Sequence, residues 1–350
     1  MELHEIKVDG FEKIVRAKDP ASGLHAIISV HNTNLGPAVG GTRLYPYASE
    51  ENALTDVLRL SRGMTYKSAL AGINFGGGKS VIIGRPEDKS PELFKAFGEF
   101  VNTFGGRYIC AEDVNTSPAD MSIVHTVTPH VLGLEGGGGD PSPHTALGVV
   151  ESIRVTAARL GIPMNELSVT IQGIGHVGQV MTEMLRAEGT TVYVADLRED
   201  AVKELAARTG AIALNPDSVM TQACDILAPC AMGSTLNDQT IPALRCKAVV
   251  GCANNQLAEL RHSKMLQDRG ILYAPDYLVN AGGIINVFIE QMPSGYDATV
   301  AKEKVLGIGK TLNEIYALAE KTGLTPAEAA DQIAEERFLH GDVKHQKTAC

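Results

Sequence analysis

Two lysines twelve positions apart, Lys67 and Lys79, stand where a purely solvated side chain is out of place. Lys67 lies among Met64, Tyr66, Ala69 and Leu70, and Lys79 follows Gly76-Gly77-Gly78 at the expected start of a short buried strand, Val81-Ile82-Ile83. An acid follows in Cys110-Ala111-Glu112-Asp113-Val114-Asn115. Two ammonium groups brought together and partly stripped of water lower each other's pKa. A carboxylate such as Asp113 beside them moderates that effect and can carry protons. Either lysine alone reads as a surface group; the case rests on the settings of the two and on the acid.

A dinucleotide loop completes the set. Gly173-Ile174-Gly175-His176-Val177-Gly178 follows a strand-like run, Leu167 to Gln172, and opens a helix whose apolar stripe is Val177, Val180, Met181, Met184 and Leu185. The next strand, Thr191 to Ala195, ends at Asp196, eighteen residues past the last glycine. A lone Gly-x-Gly-x-x-Gly is weak, but strand before, helix after and acid beyond are the context that binding requires. Gly173 makes the turn, Gly175 lets backbone approach a pyrophosphate, and Gly178 lets helix and strand pack closely, with the helix N-terminus facing the phosphates. Asp196 would accept from the ribose hydroxyls and repel a 2′-phosphate, which favours NAD over NADP; Arg198 pulls the other way. The alternative for the glycines is a tight turn without ligand. Two lysines, a carboxylate and this loop are the parts needed for reversible hydride transfer at an amino-bearing carbon.

The elements around these groups define two domains. At 350 residues, with 44% hydrophobic and 21% charged residues, the chain can fill two cores. Ser49-Glu50-Glu51 predicts a helix start, Gly23 to Val30 a strand, and Ser90-Pro91-Glu92 a second helix closed by Gly105-Gly106. The run Gly136-Gly137-Gly138-Gly139-Asp140-Pro141-Ser142-Pro143 is the clearest break and is read as an interdomain linker. Beyond it, strands alternate with helices through Asp225-Ile226-Leu227, Ala248-Val249-Val250 and Ile271-Leu272-Tyr273, which predicts a parallel, doubly wound sheet. The expected fold is therefore α/β, with a mixed α/β catalytic domain over residues 1–135 and a Rossmann domain over 140–330. A helix over about 330–350 is expected to return to the first domain. Val305, Ile308, Leu312 and Ile315 mark a late helix, and Thr325-Pro326-Ala327-Glu328 a capping box.

Composition excludes several classes. With 31 basic against 41 acidic residues the net charge is -10, against nucleic acid and anionic membrane as partners. The six cysteines form no Cys-x-x-Cys pair, the N-terminus lacks a signal-peptide pattern, and no apolar run could span a bilayer. A reduced, cytoplasmic setting is expected. The ten histidines show no paired spacing, and no metal is expected.

Eight motifs in order carry a resemblance. Gly36-Pro37-Ala38-Val39-Gly40-Gly41-Thr42-Arg43, Met64-Thr65-Tyr66-Lys67, Gly76-Gly77-Gly78-Lys79 and Ala111-Glu112-Asp113-Val114 come first. Ala228-Pro229-Cys230-Ala231, Cys252-Ala253-Asn254-Asn255-Gln256, Ala274-Pro275-Asp276-Tyr277 and Asn280-Ala281-Gly282-Gly283 follow. They resemble the amino-acid dehydrogenases, in the leucine, valine and phenylalanine branch rather than the longer glutamate enzymes, and the leucine members most. The resemblance covers residues 20 to 340 or so. It implies that Lys67 binds the substrate α-carboxylate, that Lys79 polarises the keto oxygen or the attacking water, and that Asp113 is general acid and base. It also implies NAD contacts from Thr145, His176, Val177, Ala231, Asn254 and Asn280, with Thr145 and Asn280 on the carboxamide. Asn254 is a contact to substrate carboxylate or nicotinamide ribose. The site would lie in an interdomain cleft that closes to exclude water, in a homo-oligomer.

By the same resemblance the pocket wall is Val39, Gly40, Met64, Ala111, Ile284 and Val287. It carries no charge for an acidic or basic side chain. Ala111, Ile284 and Val287 fill space that an aromatic ring would need, so leucine, isoleucine and valine are the expected substrates, and branched-chain amino-acid catabolism the setting. Valine is more usual in this branch at position 284, and the extra methylene is worth about 1–3 kcal/mol. An aromatic amino-acid dehydrogenase on the same scaffold is one alternative. A non-catalytic NAD-binding protein is the other, against which Lys67, Lys79 and Asp113 all stand. The tail from Phe338 to Cys350 is polar and carries no assigned role.

Overall fold

The structure, a computed structural model, describes residues 1–134 and 139–340. Gly136, Gly137 and Gly138 of the expected linker, and the chain beyond residue 340, lie outside the described residues. Two compact units form: one gathers Met1–Gly139, Glu290–Tyr296 and the residues from Ala334 onward, the other Asp140–Ile289 and Asp297–Ile333.

The first unit contains strands β1 (Glu2–Ile6), β2 (Lys13–Asp19), β3 (Leu24–Asn32) and β4 (Ala38–Tyr45), helix α1 (Glu50–Ala71), β5 (Gly76–Ile83), α2 (Pro91–Asn102), β6 (Tyr108–Glu112) and α3 (Pro118–His125). The sheet runs β1-β2-β3-β5-β4-β6. β1, β2, β3 and β5 pair antiparallel, whereas β4 pairs parallel with both β5 and β6. One face buries Ile14, Ile27 and Val81 against Ala53 and Val57 of α1. The other buries Phe94, Phe97 and Phe100 of α2 with Tyr108 and Met121. Ser49 caps α1 by accepting from Asn52 N, as its sequence predicts, and Ser90 caps α2 through Leu93 N. α2 ends at Asn102, so Gly105 and Gly106 follow the helix rather than close it.

The expected short strand Val81–Ile83 is a correction. β5 begins at Gly76, so Lys79 stands in mid-strand and the three glycines belong to the sheet. Packing demands them. A Cβ on Gly77 would lie 2.1 Å from Thr65 Oγ1, and one on Gly78 would lie 2.7 Å from the Tyr108 ring.

The second unit contains α4 (Ser142–Leu160), β7 (Ser168–Gln172), α5 (His176–Ala187), β8 (Thr191–Ala195), α6 (Glu199–Thr209), β9 (Ile212–Ala213), β10 (Ile226–Pro229) and β11 (Ala248–Val249). There follow α7 (Arg261–Asp268), β12 (Leu272–Tyr273), α8 (Asp276–Val279), α9 (Gly282–Glu290) and α10 (Ala298–Thr322), and then α11 (Pro326–His340), which crosses both ranges. The sheet is wholly parallel, ordered β12-β11-β10-β7-β8-β9. Counted from β7 this is third, second, first, fourth, fifth, sixth, the doubly wound order of dinucleotide-binding sheets, with its switch point between β7 and β10. Val305, Ile308, Leu312 and Ile315 form the buried stripe of α10. Thr325 N donates to Glu328 Oε2 and Glu328 N to Thr325 Oγ1, closing the predicted capping box. Among the described residues no helix is long and apolar enough to cross a membrane.

Candidate active site

Three parallel strands of the first sheet gather the charged groups: Arg43 near the end of β4, Lys79 in the middle of β5 and Asp113 past the end of β6. In register, Gly41 of β4 sits beside Ala111 of β6. Asp113 stands just beyond the end of β6. Its backbone is fixed by a turn: Asp113 N donates to Thr116 Oγ1, which donates to Thr42 O, and Leu44 N donates to Val114 O. Lys79 Nζ donates to Asp113 Oδ2. Arg43 Nε approaches the same oxygen to 3.6 Å, and Arg43 Nη1 donates to Asp56 Oδ2 of α1 at 2.8 Å.

Burial drives the Lys79 amine below the usual lysine range; Asp113 opposes this, and the cation that adds to it most is Arg43. Burial pushes the Asp113 carboxyl up, and Lys79 and Arg43 more than reverse that, leaving it below the usual range. Glu112, raised by burial and by the Asp113 charge, stays outside the ion pair. The arrangement offers a buried amine and an ionised carboxylate in contact, a pair able to move one proton across a short distance.

Lys67 is half-buried on α1, two residues past Thr65, where helix and β5 meet. Val39 is buried in β4 opposite Gly77, while Met64 and Ala111 are half-buried. At Gly40 a Cβ would lie 1.8 Å from Gly78 O, so close strand packing by itself requires glycine there. Asn254, Ile284 and Val287 belong to the second unit, the last two half-buried on α9.

In that unit, the loop between β7 and α5 lies at the switch point. Gly173 has φ +95°, and a Cβ there would fall 2.7 Å from Ala231 Cβ, which joins the loop to the end of β10. A Cβ on Gly178 would lie 2.2 Å from Gly173 O, whereas one on Gly175 would meet no protein atom within 4 Å. His176 and Val177 form the first turn of α5, whose N-terminus has no side-chain cap. Asp196 Oδ2 accepts from Ile174 N at 2.9 Å, and Arg198 folds back to donate to Asp196 Oδ1 at 3.0 Å. The Arg198 hydrogen bond, against a smaller effect of burial and with help from Ile174 N, holds the Asp196 carboxyl at about 2. Asn280 Nδ2 donates to Asn254 Oδ1 and Cys252 O. Asn280 Oδ1 is buried and receives no hydrogen bond from the described residues. Thr145 Oγ1 would stand 3.0 Å from a Cβ on Gly283, which brings the starts of α4 and α9 together. An open glycine, uncapped helical N–H groups, an ionised acid at the second strand end and an unmet acceptor fit a dinucleotide.

Asp238, Glu259 and His262 also converge, in metal-ligand geometry. Arg261 bridges both carboxylates, and His262 Nδ1 accepts from Glu259 N, which keeps the ring proton on Nε2. Arg261 thus already supplies a cation that balances these two carboxylates.

Arg43, Asp56 and Gly41 are the site residues that sequence reasoning passed over. Arg43 and Gly41 lay inside a quoted motif; Asp56 could have been found as an acid beside the apolar positions Ala53 and Val57 of α1.

The chain matches two family models, "Glu/Leu/Phe/Val dehydrogenase, dimerisation domain" over residues 11–130 and "Glutamate/Leucine/Phenylalanine/Valine dehydrogenase" over 193–337. It is 46% identical to leucine dehydrogenase of Bacillus subtilis (strain 168), over 94% of this chain and 91% of that one. It is 48% identical to valine dehydrogenase of Streptomyces albus, over 94% and 92%. Among solved structures, L-tryptophan dehydrogenase from Nostoc punctiforme superposes with TM-score 0.86 at 40% identity, covering 95% of this chain and 97% of that one.

Proposed function

Because the chain belongs to the glutamate/leucine/phenylalanine/valine dehydrogenase family and is an amino-acid dehydrogenase, we propose that it oxidises leucine, isoleucine and valine with NAD. The reaction is reversible: amino acid, NAD⁺ and water give 2-oxo acid, ammonium, NADH and a proton. The observation that carries this reading is the buried Lys79 amine in contact with Asp113.

Residues 1–135 form the catalytic domain in this reading, residues 140–330 the NAD-binding domain, and the last helix serves the first. Lys67 holds the α-carboxylate as a point charge. Lys79, its amine held below the usual lysine range by burial, polarises the keto oxygen or the attacking water. Asp113 takes and returns the proton as the carbinolamine forms and collapses. The nicotinamide ring, when bound, accepts the α-hydrogen as hydride. Gly173, Gly175, His176, Val177, Gly178 and Ala231 would hold its pyrophosphate, Asp196 the adenosine ribose, and Thr145, Asn280 and Asn254 the carboxamide and nearby ribose. The choice of NAD is supported by the position of Asp196 just past the end of β8, where its carboxylate would repel a 2′-phosphate. Val39, Gly40, Met64, Ala111, Ile284 and Val287 would contact an aliphatic side chain, without a charge among them. A homo-oligomer in the cytoplasm is the setting; the match to a model described as a dimerisation domain supports the assembly.

An aromatic substrate is the second reading, favoured by the likeness to L-tryptophan dehydrogenase. Absorbance of reduced nicotinamide, followed with leucine, valine, isoleucine, phenylalanine, tryptophan and glutamate at alkaline pH, tests both. Fast turnover of the aliphatic three alone is the expected result. A preference for the aromatics would overturn the pocket argument, and no turnover from folded, NAD-binding protein would overturn the proposal.

A further inference from the structure

Behind the ion pair runs a chain of charges that the chemistry above does not use. Tyr47 Oη donates to Asp56 Oδ2 at 2.6 Å, and Arg43 Nη1 donates to the same oxygen at 2.8 Å. Arg43 Nε is buried, makes no hydrogen bond, and stands 3.6 Å from Asp113 Oδ2. Arg43 and Asp56 are only 22% and 16% exposed in their side chains. A half-buried guanidinium held by one carboxylate and aimed at another is costly to keep unless its charge is used.

We infer that Arg43 is a positioning residue: clamped by Asp56 and Tyr47, it holds the Asp113 carboxylate toward Lys79 and sets the charge state of the pair. The inference rests on the proposed roles of Lys79 and Asp113. Electrostatics give it a signature. Arg43 disfavours protonation of Lys79 and favours ionisation of Asp113, while Asp56 acts on Lys79 in the opposite sense. Other groups around the pair are Glu112 and Tyr108 of β6, Cys110 on the same strand, and Arg59 of α1 at 3.6 Å from Asp56 Oδ1. Arg43 reaches both Asp113 and Asp56.

The test reads Lys79 directly. Full-length protein is labelled at trace level with acetic anhydride across pH, and the acetylation of Lys79 is followed by peptide mass spectrometry. Arg43→Gln is expected to move the Lys79 labelling profile to higher pH and Asp56→Asn to lower pH, with Arg43→Lys returning it towards wild type. In turnover, Arg43→Gln is expected to lower kcat by about tenfold or more while the KM for amino acid changes by less than about threefold. Unchanged labelling in all variants, or shifts of the same sign for Arg43→Gln and Asp56→Asn, would overturn the inference. Should Arg43→Gln fail to fold, Asp56→Asn and Arg43→Lys carry the comparison. Labelling needs no turnover, so a wild type that oxidises no amino acid sinks the functional reading alone. An active wild type with unmoved labelling profiles sinks only the role of Arg43.

Discussion

Gly41 lies directly over the ion pair: a methyl group on it would stand 2.8 Å from Asp113 Cβ and 3.2 Å from Lys79 Nζ. It would also press on the Glu112 carbonyl at 2.6 Å, a backbone atom that cannot swing aside. Gly41→Ala is therefore expected to displace the proton-carrying pair before it unfolds the domain. Crowding of this kind costs about 1–3 kcal/mol of stability. Misplacing reacting groups by a fraction of an ångström to an ångström costs about tenfold to hundredfold in kcat. Chemical denaturation together with steady-state kinetics checks this; full activity at a clear loss of stability would mean that the pair is not where the chemistry happens.

The two glycines that frame the dinucleotide loop should part company under the same substitution. Gly178→Ala puts a methyl 2.2 Å from Gly173 O, so α5 must shift and the second unit should lose stability. Gly175→Ala meets nothing within 4 Å, at a backbone conformation of φ -66° that alanine accepts. Its stability should match wild type while its NAD affinity falls by about tenfold or more, since only the approach of a pyrophosphate requires the bare backbone. Thermal unfolding with and without NAD separates these; a Gly175→Ala protein that binds NAD normally would remove the pyrophosphate from this loop.

Asp196 gives the fold a pH-dependent contribution to stability. Held at about 2 against an ordinary 3.8, its carboxylate contributes stability that is complete above the unfolded value and is lost as pH falls through the folded one. The stability gap between wild type and Asp196→Asn should thus be constant from weakly acidic to neutral pH and close between about 4 and about 2. NAD affinity should likewise be flat across the neutral range. Asp196→Ala is expected to weaken NAD by about tenfold or more and to narrow the preference over NADP, whereas Arg198→Ala, by removing a cation beside Asp196 able to meet a 2′-phosphate, should widen it. Isothermal titration with both dinucleotides decides; a widened preference in Asp196→Ala would reverse the assignment.

Much of this site was readable before the fold was known, and the residues that were not share a cause. The dinucleotide loop was legible because its signal is local: strand, glycines, helix and terminal acid all lie between Leu167 and Asp196. Lys79 was flagged by its neighbours, but its place in the strand was misread. Three glycines have poor strand propensity, and only the nearness of Thr65 and Tyr108, distant in sequence, makes them obligatory. β1 escaped notice because an edge strand with most residues exposed lacks the inside–outside alternation that identifies strands. Arg43 and Asp56 drew no role from the sequence, since their meaning comes from pairing across the junction of β4 and α1. Thr145 and Asn280 were placed by resemblance alone; nothing in their spacing announces a contact.

The proposed pocket makes Ile284 the residue whose single extra methylene is expected to set substrate choice. Ile284 is half-buried on α9, one turn before Val287, so both side chains share a helix face. Ile284→Val removes a single methylene, a change worth about 1–3 kcal/mol in discrimination between substrates of different length. The variant should therefore raise kcat/KM for leucine relative to valine by about tenfold while leaving kcat on valine and NAD affinity near wild type. Lys67, Lys79 and Asp113 are untouched, so any loss of kcat on every substrate at once would point to a structural role for Ile284 instead. The ratio of kcat/KM values for leucine and valine, measured in both proteins at one pH, is the deciding quantity. A ratio that does not move removes Ile284 from the pocket and leaves side-chain selection to Val39, Met64 and Ala111 of the first unit.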